Sequence, residues 1–204
     1  MNSKFLNPVL DVINTLCNFI VLNLVFLLTC LPVFTIGTAL SSLYSVTLRE
    51  ASGEYGYLVR TYIKEFRKNL KHGTIAFLFL LPVGAVLLFN LAFWHALGTT
   101  FGSVMTGLFL VAMLIWLMTG TYTFPLIARF ENTTRQSLKN AFCLMMTNPK
   151  TTFGLLGIYV AVLAFCLFFK PMKLMMVLFG FAFIAYCQSF LFKNVFAPFE
   201  EQDN

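Results

Sequence analysis

The side chains able to do chemistry in this sequence stand far apart. Its eight carboxylates are Asp11, Glu50, Glu54, Glu65, Glu131, Glu200, Glu201 and Asp203. General acid–base or metal chemistry needs such groups to converge, with each other or with histidine, in a shielded pocket. All of them fall instead in terminal or connecting segments, outside the long apolar runs. The two histidines, His72 and His95, flank opposite ends of one apolar run and cannot share a metal. The five cysteines, Cys17, Cys30, Cys143, Cys166 and Cys187, form no C-x-x-C pair, and four lie inside apolar runs, where they read as small hydrophobes. No HExxH, Gly-rich phosphate loop or GxSxG is present. The sequence therefore predicts no catalytic, cofactor or metal site, and a protein that is not an enzyme. His95, next to Trp94, reads as an interface residue rather than a reactive group.

What remains is positive charge and amide. The net charge is +6. Arg49, Arg60, Lys64, Arg67, Lys68 and Lys71 form one basic segment, and Arg129, Arg135, Lys139 and Lys150 a second. Both lie beside apolar runs, a pattern that fits anionic lipid headgroups rather than nucleic acid. In the first, Leu58, Tyr62, Phe66 and Leu70 recur every four residues, with Arg60, Lys64, Arg67, Lys68 and Lys71 opposite. This predicts an amphipathic helix lying apolar face down on a membrane surface. In the second, Leu138, Phe142, Met145 and Met146 oppose Arg135 and Lys139, and Asn148-Pro149 ends the helix. Asn18, Asn23, Asn90, Gln188, Ser189 and several threonines sit within the apolar runs. Hydrogen bonding between helices accounts for them, and a small polar pathway is the other reading.

The elements that must carry these groups are set by hydropathy. The chain is 59% hydrophobic and 11% charged, with 25 Phe and a mean hydropathy of +0.82. Soluble domains carry about 25% charged residues, and a water-soluble fold of this length could not hide so much apolar surface. Five runs approach the roughly 20 residues a spanning helix needs: Leu16 to Phe34, Thr74 to Trp94, Val104 to Pro125, Phe153 to Phe169 and Leu174 to Phe192. None contains Asp, Glu, Lys or Arg. The first run carries little flanking charge and reads as retained rather than as a cleaved signal. Thr35 to Leu48 is uncharged and rich in small residues. It returns as the second arm of a hairpin broken between Pro32 and Gly37, where proline disfavours helix in the residue before it and Gly37 permits a turn, giving six spans, or it is an interfacial or re-entrant helix, leaving five. The fold class is an all-α, polytopic membrane bundle with two cytoplasmic amphipathic helices. It reads as a single membrane domain, 1–204, with parts at 1–50, 51–125 and 126–204. Arg and Lys concentrate on the cytoplasmic side, so both basic loops and the acidic tail are expected inside a cell membrane. A weak internal repeat pairs Lys68-Asn69 with Lys139-Asn140, and Pro125 and Phe130-Glu131 with Pro198 and Phe199-Glu200.

Leu31-Pro32-Val33-Phe34-Thr35-Ile36-Gly37, then Leu43-Tyr44, then Phe66-Arg67-Lys68-Asn69-Leu70-Lys71, resembles the YesL-like family of predicted bacterial integral membrane proteins, whose domain is of unknown function. Asn23, Pro32, Thr35, Ile36, Gly37 and Asn69 match its pattern individually, and Asn140-Ala141-Phe142 matches in the later half. Phe34 and Thr38 depart from it. The resemblance implies no enzyme activity. It implies an accessory role beside the membrane subunits of a bacterial carbohydrate uptake system of the ABC type. The alternative is a small solute transporter or channel, acting as a homo-oligomer.

Overall fold

The computed structural model describes residues 7–200, apart from 55 and 131, with side chains from 15 to 199. The flank residues Lys4 and Asp11, Glu131, and the acidic tail Glu200, Glu201 and Asp203 lie outside the described side chains. Helices and short turns make up the described residues, without a strand among them. The helices are α1 (Asn7–Cys30), α2 (Ile36–Ala51), α3 (Leu58–Ala96), α4 (Thr100–Arg129), α5 (Thr134–Thr147), α6 (Pro149–Phe168), α7 (Met172–Met175) and α8 (Phe181–Glu200). A π-helical turn, Met176–Gly180, joins α7 to α8. Four helical segments are long and apolar enough to cross a membrane: Leu58–Ala96, Thr100–Arg129, Pro149–Phe168 and Met172–Phe199. That is compatible with a membrane protein. So is the surface, on which Phe89, Phe93, Phe101, Leu108, Phe165 and Phe168 are exposed; contiguous apolar surface on this scale suits lipid better than water.

Local sequence explains the boundaries. Helix α1 stops before Leu31-Pro32, because proline disfavours helix in the residue preceding it, and a single 3-10 turn, Val33–Thr35, leads into α2. Thr35 Oγ1 donates to the carbonyls of Thr29 (2.6 Å) and Pro32 (2.7 Å), satisfying backbone left open at the end of α1. Helix α2 ends in a Schellman motif: Gly53 N–H donates to Glu50 O at 3.1 Å and Glu54 N–H to Arg49 O at 2.9 Å. Gly53 takes φ +83°, which glycine adopts without steric cost. The side chains of Thr99 and Thr133 cap α4 and α5 by accepting from Gly102 and Gln136. Asn148-Pro149 closes α5 and opens α6, with Pro149 in the first helical turn.

Helix α2 occupies the centre. Residues 37–39, 41–48 and 51 are all buried, and the helix packs most extensively on α3, then on α8 and α4. At 16 residues it is about 24 Å long, shorter than a hydrocarbon core of about 30 Å. Its closest approach is to α3. A Cβ on Gly37 would overlap the Gly73 carbonyl oxygen, and one on Gly73 would stand 2.6 Å from Thr38 Cα. Only residues without a Cβ let two backbones meet so closely.

Two expectations are corrected here. Gly37 is not the turn residue: the break falls at 31–35, Gly37 is inside α2, and positive φ occurs at Gly53 and Gly98. Nor is the first basic segment a separate surface helix. It runs without interruption into the apolar run as the 39-residue α3, about 58 Å long. Gly73 is the weakest helix former between Lys71 and Ala76, and one glycine does not stop a helix. The buried stripe of α3 is Leu58, Tyr62, Glu65, Asn69, Gly73, Ala76, Leu80 and Gly84. It steps by three and four, whereas the four-residue series drifts off the face, leaving Leu70 exposed and Phe66 half-buried. Helix α5, by contrast, is a separate helix that packs mainly along α4, so the two halves of the proposed repeat are built differently.

Candidate functional site

Asn23 sits at the most specific polar contact in the apolar part of the bundle. It is fully buried. Its Nδ2 donates to the carbonyls of Met176 (3.3 Å) and Val177 (2.6 Å), and its Oδ1 accepts from the Ala182 N–H at 3.0 Å. A π-turn disturbs the i to i−4 ladder and leaves backbone groups exposed. One amide supplies both a donor and an acceptor to them. Asn23 is therefore a clamp between α1 and the π-turn.

A second polar seam runs across the bundle centre. Tyr44 donates to Gln188 Oε1, and Thr121 and Tyr159 share a hydrogen bond at 3.0 Å. Tyr122 reaches Thr152 at 3.0 Å, and Ser189 donates to Thr47 at 2.8 Å. Beside it lies a groove of about 460 Å³, open on one side and lined by Leu40, Tyr44, Leu80, Gly84, Trp116 and Tyr159 among others. Trp116 closes one wall. Its indole N–H donates to Leu80 O at 3.0 Å, and its ring lies where a Cβ on Gly84 would stand.

The third feature is the basic end, where the two basic segments meet. Lys68, Asn69 and His72 on α3 face Arg129, Asn132 and Thr133, from the end of α4 and the turn into α5, across a cleft of about 360 Å³. Ile127, Ala128 and Phe130 form its apolar floor. His72 Nδ1 lies 3.2 Å from Thr134 Oγ1, linking α3 to the start of α5. Asn69 is 7% exposed, and its Nδ2 has no hydrogen-bond partner among the described residues. On the same helix, one turn away, Glu65 is 5% exposed and pairs with Arg49 of α2 at 3.5 Å. Nearby, burial raises the Glu50 carboxyl above its ordinary value. Thr29 at the end of α1 shares a 2.5 Å hydrogen bond with Tyr62, tying α1 to the same stretch of α3.

Of the residues singled out from sequence, Arg60, Lys64, Arg67, Lys68, Lys71, Arg135 and Lys139 are exposed. Lys68 and Asn69 are brought to the cleft. Asn140 lies apart, lining a different groove with Leu126, Cys143 and Phe199. Pro32 is exposed, whereas Asn23, Thr35 and Gly37 are buried. His72 and His95 are 23 residues apart on α3, about 35 Å along the axis. No group of three or more His, Cys, Asp or Glu residues that could hold a metal occurs among the described residues. Glu65, Arg49, Arg129 and Gln188 carry more of the geometry than the sequence reading gave them. A signal for Glu65 was present: it falls on one helical stripe with Tyr62 and Asn69, away from the basic face.

A chain whose described residues are helices and turns, with four long apolar helices, a clamped π-turn and a basic cleft, is the class that fold and site define. Residues 19–91 match the model of a family of proteins of unknown function, DUF624. The match takes in the second half of α1, all of α2 and α3 as far as Leu91, including Asn23, Pro32, Thr35, Ile36, Gly37 and Asn69. No curated protein matches the chain, and neither does any solved structure.

Proposed function

We propose that the chain is a non-enzymatic, multi-pass accessory protein of the bacterial cell membrane, related to the YesL-like proteins, that associates with membrane subunits of an ABC-type carbohydrate uptake system. The basic end would face the cytoplasm, where Arg60, Lys64, Arg67, Lys71, Arg135 and Lys139 meet anionic headgroups or a partner subunit. One observation carries the reading: the centre of the bundle is filled by α2, whose hydroxyls are spent on other protein atoms. Ser41, Ser42 and Thr47 donate to carbonyls of α2 itself, and Thr38 bonds Leu70 O and Thr74 of α3. A centre packed in this way offers little to a passing solute and favours association through the outer surface. Tagged chain, purified at natural abundance from native membranes in mild detergent, should bring transporter subunits with it. Recovery of the chain alone would defeat the proposal.

The groove beside Tyr44 and Tyr159 supports a second reading, a small solute transporter acting as an oligomer. Sugar flux into liposomes holding this chain alone would favour it over the accessory role.

A further inference from the structure

We propose that the groove beside Tyr44 and Tyr159 holds one acyl chain of an anionic phospholipid, whose headgroup rests at Arg67 and Lys71. The groove runs between Phe77 and Leu88 on α3 and between Trp116 and Phe124 on α4. Leu81, Leu88 and Leu117 line it and are also exposed, so its mouth opens on the outer, apolar surface of the bundle. A sugar would find few free partners there. Thr121 donates to Leu117 O at 2.9 Å and shares a bond with Tyr159, and Tyr44 donates to Gln188. The groove is also held open. The Trp116 indole is fixed on Leu80 O at 3.0 Å, which keeps one wall in place. Gly120 leaves a gap, since a Cβ there would meet, outside its own helix, only Leu80 Cδ1 at 3.8 Å. An apolar slot at the depth of the spans takes the hydrocarbon around it. From Phe77 to Leu88 the rise is about 17 Å, and one leaflet of hydrocarbon is about 15 Å deep, so a single chain fits end to end.

Charge selects the kind of lipid. Stepping back from Leu81 along α3 by four and three residues gives Phe77, Thr74, Leu70 and Arg67, so the face that lines the groove reaches the basic end at Arg67. Lys64 and Lys71 stand one turn to either side of it. Lys71 and Arg67 lie about 5 and 10 Å before Thr74, where the apolar run begins, and so at the level of the headgroups. Lys64, Arg67 and Lys71 are exposed, and none of them forms an ion pair among the described residues. The acid of α3, Glu65, is turned inward to Arg49 and leaves their charge uncancelled. Cations above a slot one chain wide complement a phosphate that carries its own fatty chain. This inference rests on the spans lying in lipid, and not on which partner the chain serves.

The test uses the full chain carrying Trp94→Phe, which leaves Trp116 as its one tryptophan, reconstituted in phosphatidylcholine vesicles. Acyl chains brominated at mid-length quench tryptophan on contact. They are supplied as a minor fraction, on phosphatidylglycerol in one arm and on phosphatidylcholine in the other. Quenching of Trp116 should saturate with phosphatidylglycerol at a mole fraction about tenfold below that needed with phosphatidylcholine. Gly120→Leu fills the gap and should abolish the saturating part. Gly107→Leu, on the same helix with nothing within 4 Å of its Cβ, should keep it. Arg67→Gln with Lys71→Gln should bring the two lipids level, and Lys139→Gln, on another helix, should not. Equal quenching by the two lipids at every fraction in the parent would reduce the effect to general lipid contact and overturn the proposal. So would saturation that survives Gly120→Leu. Absence of quenching in both arms, together with a cross-linked dimer, would give the groove to a second copy instead. Flotation with the vesicles is read separately: a chain that does not float defeats the lipid placement and the site together, whereas a floating chain without lipid preference defeats the site alone.

Discussion

Gly37 offers the sharpest test of how this bundle is held together, because two mechanisms predict different things for one substitution. Gly37 is helical and not at positive φ, so backbone conformation alone would leave alanine nearly harmless there. If it serves a helix crossing, alanine already collides. A Cβ would overlap the Gly73 carbonyl oxygen and stand 2.6 Å from Phe77 Cβ and 3.0 Å from the Phe124 ring. Restoring an ordinary contact of 3.4–4 Å requires α2 and α3 to part by roughly 1 Å, and overpacking of this kind costs about 1–3 kcal/mol. Separation also stretches the hydrogen bonds from Thr38 Oγ1 to Leu70 O (3.2 Å) and to Thr74 Oγ1 (3.0 Å), each worth about 0.6 kcal/mol between membrane helices. The sum for Gly37→Val is about 2–4 kcal/mol, and for Gly37→Ala somewhat less. Gly73→Ala should cost a similar amount although it lies far from the turn in sequence, since its Cβ would meet Thr38 backbone at 2.6 and 2.8 Å. Gly107→Ala, with nothing within 4 Å of its Cβ, is the control. Unfolding midpoints in detergent, followed by size exclusion after heating, rank the variants. Gly37→Ala and Gly73→Ala melting with Gly107→Ala would refute the crossing, as would additive losses in the Gly37/Gly73 double variant. Two residues in direct contact should not act independently.

Asn23→Leu removes three hydrogen bonds at the π-turn and should cost roughly 2 kcal/mol, with faster amide exchange confined to residues 176–182; unchanged exchange there would discard the clamp. Arg49→Ala should destabilise more than the double variant Arg49→Ala with Glu65→Leu, measured by the same midpoints, because the single change strands a carboxylate that is 5% exposed. Gly84→Val should displace Trp116, whose ring atoms would lie 2.8 and 2.9 Å from the new Cβ, and a Trp emission spectrum identical to the parent's would contradict that packing.

The long apolar elements were legible because their cause is local: uncharged runs of twenty residues and prolines that end them can be read without knowing what packs where. The break before α2 and the close of α5 at Asn148-Pro149 follow from that same chemistry. Less legible was anything set by a partner. The series Leu58, Tyr62, Phe66 and Leu70 is genuine in sequence, yet the face that packs is fixed by α2, and it includes Glu65 and Asn69 at the expense of Leu70. A hydrophobicity pattern places a carboxylate and an amide outside; the close approach of Gly37 to Gly73 draws that face inward, and Arg49 then satisfies Glu65. Similarly, Asn23 could be read as an interhelical hydrogen bonder. Its partner could not, because a π-turn between Met176 and Gly180 leaves no signature in composition.

An apolar chain must settle each buried polar group within itself, and the exceptions are informative. Along α2 the accounts close: Thr38, Ser41, Ser42, Ser45 and Thr47 each find a carbonyl, and Tyr44 finds Gln188. Among the described residues the atoms left without a partner are Asn69 Nδ2, Ser137 Oγ and Gln188 Nε2. Gln188 is explained by its own bond, since an amide fixed by Tyr44 at one atom must accept what surrounds the other. Asn69 and Ser137 have no such explanation, and they lie on α3 and on the first turn of α5, the two helices that meet at His72 and Thr134. The polar groups that remain open therefore gather at the end of the bundle that carries its positive charge. That coincidence sets the basic end apart from the apolar interior, where, Gln188 Nε2 apart, the described polar groups are settled within the bundle.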